Sequence, residues 1–215
     1  MGETASYRST MTETRRQAIL QAALKSFSTK GFTNTTMEDI RQLSGASTGS
    51  IYHHFENKEK LAFALFVEGS NDLNMRLFAA IADKRSREAI KDMVRTYVDW
   101  FEQNPDLGQY IIQAASTEYL GPKLQELRRT SETWPKQLLD WLTPFIEDGS
   151  IARLPTHLYI SLILGPCREF VRRWLRERIP AELKEAREPL AEATWLMLAP
   201  SSYPAKNRSA ISAEE

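Results

Sequence analysis

Residues 46–58 run ASTGSIYHHFENK, a short stretch with two unlike faces followed by the start of another helix. Ser47 suits a helix N-cap, because its hydroxyl can accept from the free backbone N–H groups of the first turn. At about 100° per residue, Ile51 and Phe55 fall on one face. Thr48, Gly49, Tyr52 and His53 fall on the other. One face can be buried while the other offers small polar groups, a phenol and an imidazole. Gly49 costs about 1 kcal/mol of helix propensity relative to Ala, so a helix built only for stability would not place it there. Its bare backbone allows close approach to a partner.

Upstream, Thr35-Thr36-Met37-Glu38 fits a capping box with Thr35 as N-cap and Glu38 three residues on. Met37, Ile40 and Leu43 form an apolar stripe over two short turns. Ser44-Gly45-Ala46 then supplies a tight turn, with Gly45 suited to a left-handed backbone. A short helix, a three-residue turn with Gly and a second short helix make the helix-turn-helix pattern of DNA-binding proteins. Asn57-Lys58-Glu59 opens the next helix. Within the motif, Tyr52, Lys58 and Thr36 suit phosphate contacts, and Ser47, Thr48, Gly49 and His53 are placed to approach base edges. His54 is equally suited to packing behind the motif.

From about residue 12 to 72 the chain resembles the TetR/AcrR family of bacterial transcriptional regulators. ILQAALKSFSTKGF, TTMEDI and GSIYHHFENKEKL carry the resemblance most specifically. Arg41 and Ser44 stand where the family more often has Ala. The resemblance implies DNA contacts at the positions named above and a ligand cavity within the C-terminal helices. It also implies a dimer formed through the last two helices.

Composition is compatible with this. A chain of 215 residues has room for one medium domain or two small ones. Its 42% hydrophobic and 26% charged content is ordinary for a soluble protein. Formal net charge is zero, so no global basic field announces nucleic acid. Residues 12–60 hold seven Lys and Arg against five Asp and Glu, an excess of +2, so any attraction to DNA is local. No run approaches the roughly 18 apolar residues of a membrane span, and the N-terminus lacks a signal-peptide core. A single cysteine, Cys167, excludes an internal disulfide framework. The expected location is the cytoplasm, on the nucleoid when DNA-bound.

The periodicity predicts an all-α chain of about nine helices: a three-helix helix-turn-helix domain over 12–60 and a C-terminal helical bundle over 61–200. Residues 1–11 and 201–215 read as disordered. Helix one is expected over Thr12–Thr29, ended by Gly31. Asn57 caps a long fourth helix marked by Leu61, Leu65, Phe66, Leu73, Leu77 and Ile81, which Gly69 could bend. Residues 86–104 give the cleanest amphipathic helix, through Ile90, Met93, Val94, Tyr97, Val98 and Phe101. Pro105 starts another. Leu124, Leu127, Ser131, Trp134, Leu138, Trp141 and Phe145 form a seam bent by Pro135 and Pro144. Further helices are expected over Thr156–Glu177 and Pro189–Ala199.

Candidate pocket residues are Phe66, Tyr97, Phe101, Tyr110, Glu118, Trp134, Trp141 and His157; Tyr119 could join them. Singly each is expected to fill core; as a set they suggest a cavity for an apolar or amphipathic molecule. Phe170, Val171, Trp174, Leu190, Ala193 and Met197 offer apolar surface for self-association. Adjacent His53 and His54 point about 100° apart and cannot chelate one ion together, so no metal and no cofactor is expected. A buried thiol is expected of Cys167 in preference to a redox sensor. Arg172, Arg173, Arg176 and Arg178, with neighbouring Glu169 and Glu177, read as a salt-bridged helix surface in preference to a second nucleic-acid patch. No phosphate loop, metal spacing or catalytic triad is present, so an enzyme is not expected. The expected partners are double-stranded palindromic operator DNA, a second copy of the chain and a small-molecule effector, with no membrane. The rival reading is a DNA-binding dimer of the same fold without an effector.

Overall fold

The computed structural model describes residues 2–114, 120 and 134–202. These hold nine α-helices and no strand. They are α1 (Gly2–Asn34), α2 (Met37–Ser44), α3 (Thr48–His54), α4 (Lys58–Ile81), α5 (Ser86–Gln103), α6 (Pro105–Ala114), α7 (Trp134–Glu147), α8 (Thr156–Glu177) and α9 (Pro180–Leu198). A 3-10 turn at Pro200–Ser202 follows. Two compact units emerge: Met1–Asn71 with Asp106–Gln125, and Asp72–Pro105 with Glu126–Glu215. The division falls inside α4, at Asn71 and not near residue 60, and α6 joins the first unit.

In the first unit, residues 2–11 are helical and not an arm detached from helix one. No Pro or Gly interrupts the chain between residue 3 and Gly31, so a helix once nucleated extends through this polar segment. Gly31 breaks the helix as expected, at φ 75°, ψ 163°, a backbone region open almost only to glycine. The capping box lies one residue later than expected. Thr35 turns inward, 1% exposed, and its hydroxyl donates to the Gly31 carbonyl at 2.8 Å. Thr36 therefore takes the N-cap, accepting from the Asp39 N–H at 3.1 Å, while Asp39 accepts from the Thr36 N–H at 2.8 Å. Glu38 is thereby released for another partner.

The first core gathers Ile19, Leu20, Ala23 and Phe27 of α1, Ile40 of α2, Ile51 and Phe55 at α3, and Leu61 and Leu65 of α4. Leu43 does not continue the expected stripe. It is 49% exposed, and Ala46, beyond the turn, enters the core instead. Tyr110 of α6 closes this core, stacking on Phe27 at 5.8 Å and donating to the Ala62 carbonyl at 2.7 Å. Gly69 does not bend α4. It lets α6 come close: a Cβ there would stand 2.9 Å from Ile111 Cδ1 and 3.0 Å from Leu107 Cδ1.

In the second unit, α5 buries Ile90, Met93, Val94, Tyr97, Val98 and Phe101 as its periodicity predicts, with Trp100 added. The Trp100 indole donates to Asp72 at 2.7 Å, which satisfies its N–H in a largely apolar setting. Along the seam, Leu138 and Leu142 are buried while Trp141 and Phe145 are half-buried; Leu124, Leu127 and Ser131 lie outside the described residues. The last helix starts at Pro180, nine residues before the expected Pro189. Pro180 begins it and Pro189 is accommodated inside it. Leu183, Ala191 and Leu198 anchor the helix in the core on both sides of Pro189, and ion pairs to α5 add to this: Arg187–Asp99 at 2.6 Å, Glu188–Arg95 at 2.6 Å and Glu192–Lys91 at 2.8 Å. Such tertiary contacts outweigh the local cost of proline.

Candidate DNA-binding surface

α3 is built by its two ends. Ser47 accepts from the Ser50 N–H at 3.2 Å, and the Phe55 N–H closes the last turn on the Ile51 carbonyl at 2.8 Å. Ile51 is 1% exposed and Phe55 4%, which pins the inner side; burying each contributes about 1.5–3 kcal/mol. Gly45 takes the left-handed conformation expected of the turn, at φ 64°. With the inner side pinned, Ser47, Thr48, Gly49, Tyr52 and His53 all come out on the exposed side. Tyr52 is 53% exposed, and the space a Gly49 Cβ would occupy is open.

Other candidate contacts are more engaged. The Thr36 hydroxyl donates to Asp39 Oδ2 at 2.8 Å besides accepting as the cap. Lys58 points its ammonium at the end of α1, donating to the Phe32 carbonyl at 2.8 Å and the Thr35 carbonyl at 2.7 Å. It also lies 4.4 Å above the Phe32 ring. This second role of Lys58 was not legible from its position at the start of a helix. His54 is half-buried. Burial, then the neighbouring His53 and Arg16, push its imidazole below the ordinary value, so it stays neutral near pH 7.

Arg16 supports α3 from behind. Its guanidinium lies 5.5 Å over the Phe55 ring and binds Glu68 of α4, which also accepts from Gln17 at 3.1 Å. On α2, Arg41 makes a two-bonded pair with Glu38, with Nε–Oε2 and Nη2–Oε1 both 2.7 Å.

The candidate pocket residues fall in both units. Phe66 and Tyr110 pack in the core of the first unit. Tyr97 and Phe101 adjoin at 4.8 Å inside the second. Trp134 lies 6.4 Å from Phe78, and Trp141 5.0 Å from Phe145. His157 is exposed on the first turn of α8. Glu118 and Tyr119 lie outside the described residues.

The self-association residues divide as well. Val171 and Trp174 are internal, 0% and 5% exposed, and Trp174 Nε1 donates to the Ile179 carbonyl at 2.8 Å. They are core of the protomer, because the inner side of α8 faces its own unit. Phe170, Leu190 and Met197 are partly buried, Ala193 is exposed, and Leu196 beside them is 53% exposed. Cys167 is fully buried, and burial pushes its thiol up to about 12. Arg172 pairs with Glu169 at 2.6 Å and Arg173 with Glu182 at 3.6 Å, as a salt-bridged surface would. Among the described residues, no His, Cys, Asp and Glu cluster could hold a metal ion, and no helix is long and apolar enough to cross a membrane.

Comparison with known proteins agrees with this geometry. Residues 19–65 match the profile of the bacterial regulatory proteins of the tetR family. The HTH-type transcriptional repressor AcnR of Corynebacterium efficiens is 42% identical over 158 residues, which span 66% of this chain and 82% of that protein. A transcriptional repressor of Mycobacterium tuberculosis is 26% identical over 162 residues, 65% of this chain and 82% of its own length. Among solved structures, a TetR-family regulator of Marinobacter aquaeolei superimposes with a TM-score of 0.72 at 22% identity, covering 87% of this chain and 96% of its own. FadR of Bacillus subtilis, solved in complex with stearoyl-CoA, gives 0.70 at 22% identity, covering 83% and 96%. The capped, outward-facing α3 and the extent of these similarities lead to one conclusion: the chain belongs to the TetR family of bacterial transcriptional regulators and is a DNA-binding regulator of transcription.

Proposed function

We propose that this protein is a homodimeric repressor that reads a palindromic operator with α3 and leaves it when a small apolar or amphipathic molecule binds the C-terminal helices. The observation that carries the reading is the exposed row Ser47, Thr48, Gly49, Tyr52 and His53 on a helix whose opposite side is locked into the core. One seven-residue helix spans few base pairs, so two copies on a two-fold site are needed for useful specificity. Phe170, Leu190, Ala193, Leu196 and Met197 supply accessible apolar surface for the pairing. The stearoyl-CoA complex of the similarly folded FadR supports an amphipathic effector. Because α4 is one helix shared by both units, its tilt is the route by which an effector would change recognition-helix spacing. Successive major grooves on one duplex face lie about 34–36 Å apart, so a shift of a few ångströms would spoil docking of both copies. The effector must bind the splayed arrangement more tightly, since equal affinity shifts nothing. A role on DNA supports a cytoplasmic location, on the nucleoid when bound.

Binding to operator variants tests the core of this reading. Thr48→Ala and His53→Ala should relax preference at particular base pairs by about 1–3 kcal/mol. Tyr52→Phe should weaken all sequences alike. Preference patterns left intact by both Thr48→Ala and His53→Ala would refute α3 as the reader. Sedimentation tests pairing: a monomer at micromolar concentration binding operator with full affinity would refute the dimer.

A further inference from the structure

A groove on the first unit is lined by both motif helices: Met37, Glu38 and Arg41 from α2, and Thr48, Ile51 and Tyr52 from α3. Its outer polar groups are thus the Glu38–Arg41 pair on one side and the readout residues Thr48 and Tyr52 on the other. Arg41 grips the carboxylate through two parallel bonds of 2.7 Å, and Gln42 Nε2 donates to Oε1 at 3.0 Å. A fork of this kind fixes orientation as well as charge.

Stability does not account for the arrangement. The two side chains are 38% and 55% exposed, and a solvent-exposed pair three residues apart contributes little. A lone carboxylate beside a DNA-contacting helix would also repel phosphate; Arg41 cancels that repulsion without covering the carboxylate. In the major groove a carboxylate can only accept. It favours the N4 amino group of cytosine and opposes the O6 and N7 acceptors of guanine and the O4 of thymine.

We propose that Glu38, oriented by Arg41, is a specificity-determining residue that accepts from a cytosine amino group at a base pair next to those faced by Thr48. Arg41 is its positioning residue. The assignment rests on α3 being the readout helix and extends the readout surface onto α2.

The test uses the full-length protein and an operator selected from random duplexes, with affinities measured over every single-base variant. Glu38→Ala should flatten preference at one base pair by about 5- to 150-fold, leaving affinity for unrelated DNA equal or higher because a negative charge is gone. Glu38→Gln, able to donate as well as accept, should admit acceptor-bearing bases there. Arg41→Ala should weaken binding to all sequences and blunt the same preference. Both side chains are exposed, and unchanged melting would confirm that the variants fold. If Glu38→Ala and Glu38→Gln leave every preference unchanged while Thr48→Ala alters one, Glu38 is no reader and the α3 reading stands. If Thr48→Ala is silent too, both readings fall. If only Arg41→Ala acts, and by one factor for all sequences, Arg41 is a phosphate contact and the proposal fails.

Discussion

Replacing Lys58 separates a structural role from a DNA-contacting one. Its ammonium donates at 2.7 and 2.8 Å to the carbonyls of Thr35 and Phe32, with a longer 3.4 Å approach to Thr33. Hydrogen bonds that involve a charged group contribute about 1.5–3 kcal/mol each, and a partly exposed cation over a ring adds about 0.5–1 kcal/mol. The carbonyls stand at the rim of the unit, where water can replace the ammonium, so the full sum is not lost. Lys58→Ala should destabilise the protein by about 2–3 kcal/mol, lowering the melting temperature by about 4–12 °C for a chain of this length. Lys58→Met keeps the apolar stem over Phe32 but donates nothing, so it should lose most of the same amount. Calorimetry or denaturant titration measures the stability, and operator binding over a salt series, below the melting range, measures the DNA role. A melting temperature within about 1 °C of the parent, with a salt slope reduced by about one, would refute the tether and leave Lys58 a phosphate contact alone.

Tyr110→Phe removes the 2.7 Å bond to the Ala62 carbonyl but keeps the stacking on Phe27, so denaturant titration should show a loss of about 1 kcal/mol. Lys30, then Thr36, hold the Asp39 carboxyl down to about 2. A depressed carboxyl stabilises the fold above its unfolded value near pH 4, so stability should fall as pH drops from about 5 to about 2. Asp39→Asn should flatten part of that decline; melting curves unaltered in pH dependence would refute it. With its thiol pushed up to about 12 and no exposure, Cys167 should resist alkylation at pH 8 until the protein is unfolded. Rapid labelling of the native protein would show that the second core opens.

Much of the fold was legible because its signals are local. α5 and α8 run close to where apolar periodicity and Pro105 put them, and Gly31 and Gly45 break the chain where a positive φ favours glycine. The readout row of α3 was legible for the same reason, since a seven-residue helix with two buried anchors has one possible outside. The capping box shifted because Thr35 and Thr36 are locally equivalent; only the Gly31 carbonyl waiting in the corner draws Thr35 inward. The start of α9 was hidden by Pro189, whose local cost is overcome by burial of Leu183, Ala191 and Leu198, with ion pairs to α5 residues about 90 positions away in sequence.

Sequence by itself determined the helical class, the motif, the family and the exposed face of α3, because each depends on spacing within one or two turns. Tertiary structure alone decided what Lys58, Gly69, Val171 and Trp174 do. It turned Lys58 toward the end of α1, made Gly69 a seat for α6, and buried Val171 and Trp174 inside the protomer. Periodicity marks which side of a helix is apolar. It carries no information on whether that side meets its own chain, a second copy or a ligand, because burial depends on what arrives from elsewhere in the sequence.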